Sequence, residues 1–308
     1  MVAMDELIND GRPFTGGRDN QLGIARAEFR QLVTTNRIRP IFRGVYVDSA
    51  AGDSRTLRAS ALHLVKPEGA VFYGATVAFL MGVDVFAPKD RFNFAPQCVV
   101  PHHQGRCRRS WVTCHEGYLP KHDLMEIEGL AVTTLVRSTV DMLRSMWRPY
   151  ALAAADAMAH AGLVSREEVM VYIAPMKRYP GIIQARALAA MIEPLSESPG
   201  ESHQRLRVID AGLPTPAAQI VVVDRFGRYV IRLDNGYPEA KVGMEYDGRE
   251  FHEDDVAEEK DQLVREYLTG PLGWRLAVAK RGRIFGADPS YEQEIGTWLG
   301  ISARPRWW

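Results

Sequence analysis

Apolar positions change their period along the chain. Between residues 24 and 34, Ile24, Phe29, Leu32 and Val33 mark one helical face, with Arg26 and Arg30 on other sides. A polar break, TTNR, follows, and IRPIFRGVYV then alternates as a short two-stranded ribbon does. Helix, turn and basic ribbon outline a winged helix-turn-helix over residues 1–52. Residues 53–196 mix periods. RTLRASALHLV reads as helix, the pieces around FNFAPQCVVP and SWVTCHEGYL read as strands, and the Ala-rich stretch 150–195 reads as largely helical. From residue 197 the pattern predicts αβββαβα: helix ESHQRLRVIDAG, strands AQIVVVD, YVIRLD and KVGMEYD, helix DDVAEEKDQLVREYLTG, strand WRLAVAK and helix SYEQEIGTWLG. NGYPEA reads as the turn between the second and third strands. The expected fold class is a multidomain α/β (α+β) chain.

Composition narrows the setting. A hydrophobic content of 46% and a charged content of 25% describe a globular chain of 308 residues. Lys plus Arg equals Asp plus Glu at 38 each, so global charge names no partner. Three cysteines, Cys98, Cys107 and Cys114, are a poor disulfide framework and fit a reducing compartment. The opening MVAMDELINDGRPFTGG lacks the features of a signal peptide. The most apolar stretch, ALAAADAMAHAGLV, is short and carries Asp156 and His160. A cytoplasmic protein with no membrane partner is expected.

Local charge says more. Residues 24–47 hold five arginines, Arg26, Arg30, Arg37, Arg39 and Arg43, against one acid, Glu28. Arginine stays charged and grips phosphate with two N–H groups, so this segment suits a duplex backbone. Arg106, Arg108 and Arg109 extend the same argument. Around them, Cys98, His102, His103, Cys107, Cys114 and His115 invite a zinc reading, but their spacings miss the paired knuckles of structural zinc sites.

Acids gather near the C-terminus. Asp234 closes one predicted strand, and Glu245 and Asp247, two apart and so on one face, close the next. They either sit in water where the strands run out or hold a hard cation such as Mg²⁺, which takes one or two carboxylates plus phosphate oxygens. Glu201, three residues after Ser198, fits a capping box as well as a site. Asp234 before NGYP also suits a turn. Glu245 inside VGMEYDG is harder to explain structurally, because an acid in a strand is costly to bury unpaired. Asp261 and Arg265, four apart on a helix, read as a surface ion pair.

Two resemblances follow from these residues. SPGES, RLDNGYPEAKVGMEYDG, His252 and EEKDQLVREYLTGPLGWRLAV resemble, in that order, the very-short-patch-repair-like branch of the PD-(D/E)XK nucleases over residues 197–308. The resemblance implies a restriction-endonuclease-like fold that cuts or nicks DNA with Mg²⁺ or Mn²⁺. It implies Asp234 and Glu245 as metal ligands, Glu201 and Asp247 as assisting acids, and His252 as a group that handles protons or supports the site. The superfamily usually carries Lys two residues after the Glu, where this chain has Asp247; either Asp247 joins the metal site, or a lysine such as Lys241 or Lys260 substitutes, or the fold is kept and cleavage is lost. Upstream, FRQLVTTNRIRPIFRGVYV, AVFYGATVAFLMGV and IEGLAVTTLVRSTVDML resemble the AbiEi-type antitoxin and transcriptional-regulator family over residues 20–145. That resemblance implies operator binding by a winged helix joined to an α/β module, with a toxin as a partner class. Arg137 and Asp141, at helical spacing, read there as a structural pair. The combined expectation is a metal-dependent DNA endonuclease or nickase acting on double-stranded DNA. The alternative is a non-catalytic DNA-binding regulator or antitoxin that uses the nuclease-like fold for binding or dimerisation.

Overall fold

The structure, a computed structural model, describes residues 8, 10–16, 21–101, 111–248, 255–306 and 308, with side chains left out for 255–260. It is a mixed α/β protein with three sheets, and its contacts divide it into two compact units. The first comprises Met1–Ser145 and Glu167–Arg186, the second Met146–Arg166 and Ala187–Trp308. Among the described residues, no helix is long and apolar enough to cross a membrane.

The first unit opens with β1 (Phe14–Thr15), α1 (Arg26–Thr34), β2 (Ile38–Phe42) and β3 (Val45–Asp48). These strands form a small sheet in the order β1-β3-β2. Phe29 of α1 meets Tyr46 of β3 edge to face at 4.9 Å, within a core that includes Phe14, Leu22 and Ile38. The β2–β3 turn is Arg43-Gly44. Gly44 has φ 81°, and a Cβ there would stand 2.8 Å from the Trp111 ring.

A second sheet follows, built from β4 (Val71–Phe72), β5 (Gln97–Pro101), β6 (Thr113–Gly117), β7 (Leu124–Ile127) and β8 (Leu130–Thr133), in the order β6-β5-β4-β8-β7. Its β4–β8 and β5–β6 pairs are parallel and the others antiparallel. The β7–β8 turn, Glu128-Gly129, has φ of 51° and 73°, the left-handed pair that a two-residue hairpin needs. Helices α2 (Arg55–Val65), α3 (Ala75–Leu80) and α4 (Leu135–Ser145) accompany the sheet, and Leu62, Phe72, Leu80, Leu130 and Val132 lie in its core. Ser54 caps α2 by accepting from the Leu57 amide.

The Ala-rich segment is helical: α5 (Arg148–His160), α6 (Arg166–Ile173) and α7 (Ile182–Ala189). The second unit continues with α8 (Pro199–Asp210), β9 (Ala217–Val223), β10 (Tyr229–Tyr237), β11 (Val242–Tyr246), α9 (Asp255–Thr269), β12 (Arg275–Ala279), the short α10 (Arg281–Phe285) and α11 (Ser290–Leu299). Its sheet runs β12-β11-β10-β9, antiparallel except for β11–β12. Val208 of α8 packs with Tyr237, Val242 and Met244, whereas Leu268 of α9 packs with Val222 and Leu233. The sheet is therefore covered by two layers.

One local expectation gives way. NGYPEA is not all turn: β10 runs on through Asn235, Gly236 and Tyr237, and only Pro238–Ala240 turns. Asn235 is a poor strand former, yet here its Nδ2 donates to the Glu201 carbonyl and Gln204 Oε1 of α8, and Gly236 lies opposite Gly243 where the backbones close up. A Cβ on Gly236 would come within 2.4 Å of the Val242 carbonyl oxygen.

Helix α8 carries an uncommon load of buried charge. Arg205 meets Asp156 at 2.6 Å and Arg207 meets Glu292 at 2.6 Å, with all four side chains at most 2% exposed. Arg148 and Asp210 form a third buried pair at 2.6 Å. Charges taken out of water are tolerable only when fully partnered, and Arg207 also donates to the carbonyls of Arg283, Ile284 and Asp288.

Candidate active site

Helix α8 begins at Ser198, whose hydroxyl accepts from the Glu201 amide at 3.3 Å. Glu201 Oε2 in turn accepts from the Glu197 amide and from Gln219 Nε2, each at 2.9 Å. The Ser198 half of the expected capping box is present, but the Glu201 carboxylate reaches past the N-cap to the preceding amide. The same carboxylate, almost fully buried, also contributes to the field at Asp234.

Further along α8, Gln204 ties the two acid-bearing strands to the helix. Its Nε2 donates to the Glu245 carbonyl at 3.0 Å, and its Oε1 accepts from Asn235 Nδ2 at 3.1 Å. Both side chains are fully buried. The register Asn235↔Met244 continues one step to place Asp234 across from Glu245. Asp234 Oδ2 accepts from the Tyr246 amide at 2.7 Å, which fixes its carboxylate beside β11.

Asp234, Glu245, Asp247, Asp261 and Arg265 line one cleft of about 330 Å³. Burial pushes the Asp234 carboxyl up to about 6; the Tyr246 amide opposes this, and the charges of Glu201 and Glu245 add to it. Burial also raises Glu245, against the pull of Arg265, whose Nη2 lies 3.2 Å from Glu245 Oε2. Arg265 is therefore a cleft residue that reaches β11, beyond the helix-surface role expected of it. At the cleft's edge Lys280 Nζ stands 3.6 Å from Asp247 Oδ2. Lys280 follows β12, whose parallel register with β11 (Tyr246↔Ala279) carries it to Asp247.

Of the sequence-predicted site residues, the fold brings Asp234, Glu245 and Asp247 together, with Glu201 close enough to act on Asp234 electrostatically. His252 lies outside the described residues, as does the side chain of Lys260. Lys241 is held at the other end of β11, donating to the Leu272 carbonyl at 3.0 Å. Among the described residues, no three His, Cys, Asp or Glu side chains converge tightly enough to form a ready metal cage. The donor chemistry nevertheless suits a hard divalent ion: two carboxylates, each raised by burial, facing a wet cleft. Sequence reasoning missed Gln204, Asn235 and Lys280. Gln204 carried no motif, Asn235 read as part of a turn, and Lys280 becomes a neighbour only through strand pairing.

The basic N-terminal residues are mostly open to solvent. Arg26, Arg30, Arg37 and Arg43 are exposed, and Arg37 lies 3.4 Å from Asp48. Arg39 is half-buried and donates to the Ala51 carbonyl at 2.9 Å. Of the zinc candidates, His102, His103 and Cys107 lie outside the described residues, as do Arg106, Arg108 and Arg109. Cys98 and Cys114 are register partners across β5 and β6 and are not joined by a disulfide.

No family model matches the chain. Two curated relatives, Uncharacterized protein Rv2248 and Uncharacterized protein MT2308 of two Mycobacterium tuberculosis strains (H37Rv and CDC 1551), are each 30% identical over 153 residues. The match covers 50% of this chain and 56% of theirs, so the chain spans about half the length of the curated relatives it matches. Among solved structures, the RV2827C protein from Mycobacterium tuberculosis aligns over 71% of this chain and 82% of its own, at 14% identity and a TM-score of 0.32, a level that assigns no shared architecture.

Proposed function

We propose that the protein is a metal-dependent DNA endonuclease or nickase, with the α1–β3 region, read as a winged helix, seating it on double-stranded DNA. The observation that carries this reading is the pairing of Asp234 with Glu245. Two carboxylates on adjoining strands share a cleft, and both hold protons more tightly than an ordinary surface acid. A Mg²⁺ or Mn²⁺ ion there would supply positive charge to a phosphate under attack. Asp234 and Glu245 would hold the ion, and Arg265, 3.2 Å from Glu245, balances the charge of that carboxylate. Asp247 positions Lys280, which replaces the lysine that the nuclease pattern places two residues after the glutamate. Glu201 sets the proton affinity of Asp234 through space. Arg26, Arg30 and Arg43, exposed along one short segment, contact phosphates.

A second reading has its own support. Glu245 is already neutralised by Arg265, and the acids do not form a tight three-ligand cluster among the described residues. A non-catalytic DNA-binding regulator that retains a nuclease-like fold is consistent with both facts. Supercoiled plasmid incubated with the protein and Mg²⁺ or Mn²⁺, beside Glu245→Ala, separates the two. Relaxed or linear product that disappears in the variant supports the enzyme. Equal inertness of both proteins, with binding to duplex DNA retained, supports the regulator and rejects the nuclease.

A further inference from the structure

A second, larger cleft, of about 860 Å³, lies wholly within the first unit. Its size is that of small-molecule sites. Arg137 forms part of its lining, and there Arg137 does more than pair with Asp141. Its Nε lies 2.8 Å from Asp141 Oδ2, and its Nη1 lies 2.5 Å from Asp123 Oδ2. Arg144 Nη1 takes the other Asp141 oxygen at 2.9 Å, and the Tyr172 hydroxyl donates to Asp123 Oδ1 at 2.8 Å. Two guanidiniums thus face two carboxylates. The lining is close to neutral but dense in directional donors and acceptors.

Aromatic rings surround this network. Tyr118 is 76% exposed at the rim, an unusual position for a tyrosine with no core to fill. Tyr179 is nearly half exposed and carries the Arg144 guanidinium 5.2 Å over one face. Tyr73, which also lines the cleft, stands edge-on to His115. Burial, with the negative charge of Asp141, pushes the Tyr73 phenol up to about 12, so it is a donor at neutral pH.

From this geometry we infer that the cleft binds a neutral planar nitrogen heterocycle of the nucleobase class. Exposed tyrosine faces supply stacking, which is indifferent to charge. The spare N–H groups of Arg137 and Arg144 and the Tyr73 hydroxyl supply donors, and the partly used carboxylates supply acceptors. A free anion such as phosphate finds no net positive charge here, and a hydrocarbon would strand the polar floor. The ring comes either from a free nucleoside or from an unpaired base of a strand.

The test titrates the full-length protein calorimetrically with adenosine, guanosine, cytidine and uridine separately, and with a short single-stranded oligodeoxynucleotide. Benzoate and inorganic phosphate serve as controls. Saturable binding of a nucleoside or of the oligonucleotide is expected, and which of them binds identifies the source. Tyr118→Ala is expected to weaken it about ten-fold or more, and Tyr73→Phe several-fold, with melting temperatures unchanged. Glu245→Ala is expected to leave it intact, which separates this cleft from the acidic one. The inference is overturned if no nucleoside and no oligonucleotide binds, if neither tyrosine substitution weakens binding, or if benzoate or phosphate binds in preference.

Discussion

Asp234→Asn is expected to make the protein more stable. In the folded chain the Asp234 carboxyl rises from its ordinary 3.8 to about 6, chiefly through burial. At one pH unit per ~1.4 kcal/mol, that rise corresponds to ~3 kcal/mol of penalty on the ionised form at neutral pH. Asp234 is only partly buried, and water screens part of the penalty, so the usable gain is ~1–2 kcal/mol. Asparagine keeps an oxygen for the Tyr246 amide. The sign follows from linkage: a raised carboxyl disfavours folding once it ionises, so the variant's advantage is full above pH ~6. It shrinks as the pH falls through 6 and vanishes below ~3, where aspartic acid is neutral in both states. Five of the six tryptophans lie in residues 146–308, so thermal melts followed by tryptophan fluorescence report the second unit. The variant is expected to melt about 3–6 °C higher at pH 8 and level with the wild type at about pH 3. Mg²⁺ is expected to raise the wild-type melt above pH 6 and to leave the variant unmoved. A variant that melts lower at pH 8, or a difference that ignores pH, would refute the assignment of burial as the dominant influence on Asp234.

Glu292→Ala removes the partner of a fully buried Arg207 and is expected to cost ~3–5 kcal/mol, seen as a large drop in the denaturation midpoint. Lys280→Ala, at an exposed side chain, is expected to keep the fold and lower plasmid cleavage by about 100-fold; wild-type rates would exclude Lys280 from the chemistry. Arg30→Ala and Arg43→Ala are each expected to weaken duplex binding regardless of sequence and to reduce the slope of log K against log salt by about 1. An unchanged slope would remove those residues from the phosphate contacts.

The periodic parts of the chain were legible. The Ala-rich helices and the α8-to-α11 alternation, the short α10 aside, follow hydrophobic spacing, because one buried face per element is what tertiary packing demands. The convergence of Asp234, Glu245 and Asp247 was legible too, since strand alternation fixes which side chains share a face. What escaped was set by partners distant in sequence. Asn235-Gly236 carries the local chemistry of a turn, and only Gln204, 31 positions earlier in the chain, makes it a strand. Arg265 has an acid four residues before it on its helix, and nothing local announces Glu245, 20 positions back, as a partner. Arg205 and Arg207 sit on a helix that resembles an ordinary polar one until Asp156 and Glu292 arrive from far along the chain.

Glu201 joins two tasks in one side chain. Its carboxylate secures the chain at the start of α8 and also raises the proton affinity of Asp234. Selection cannot adjust one without disturbing the other. A lineage that loses the acid at 201 weakens a helix start as it retunes the cleft, so the helix alone gives reason to keep this glutamate. Its persistence in a homologue therefore reports an intact α8, while the pair Asp234 and Glu245 reports on the cleft alone.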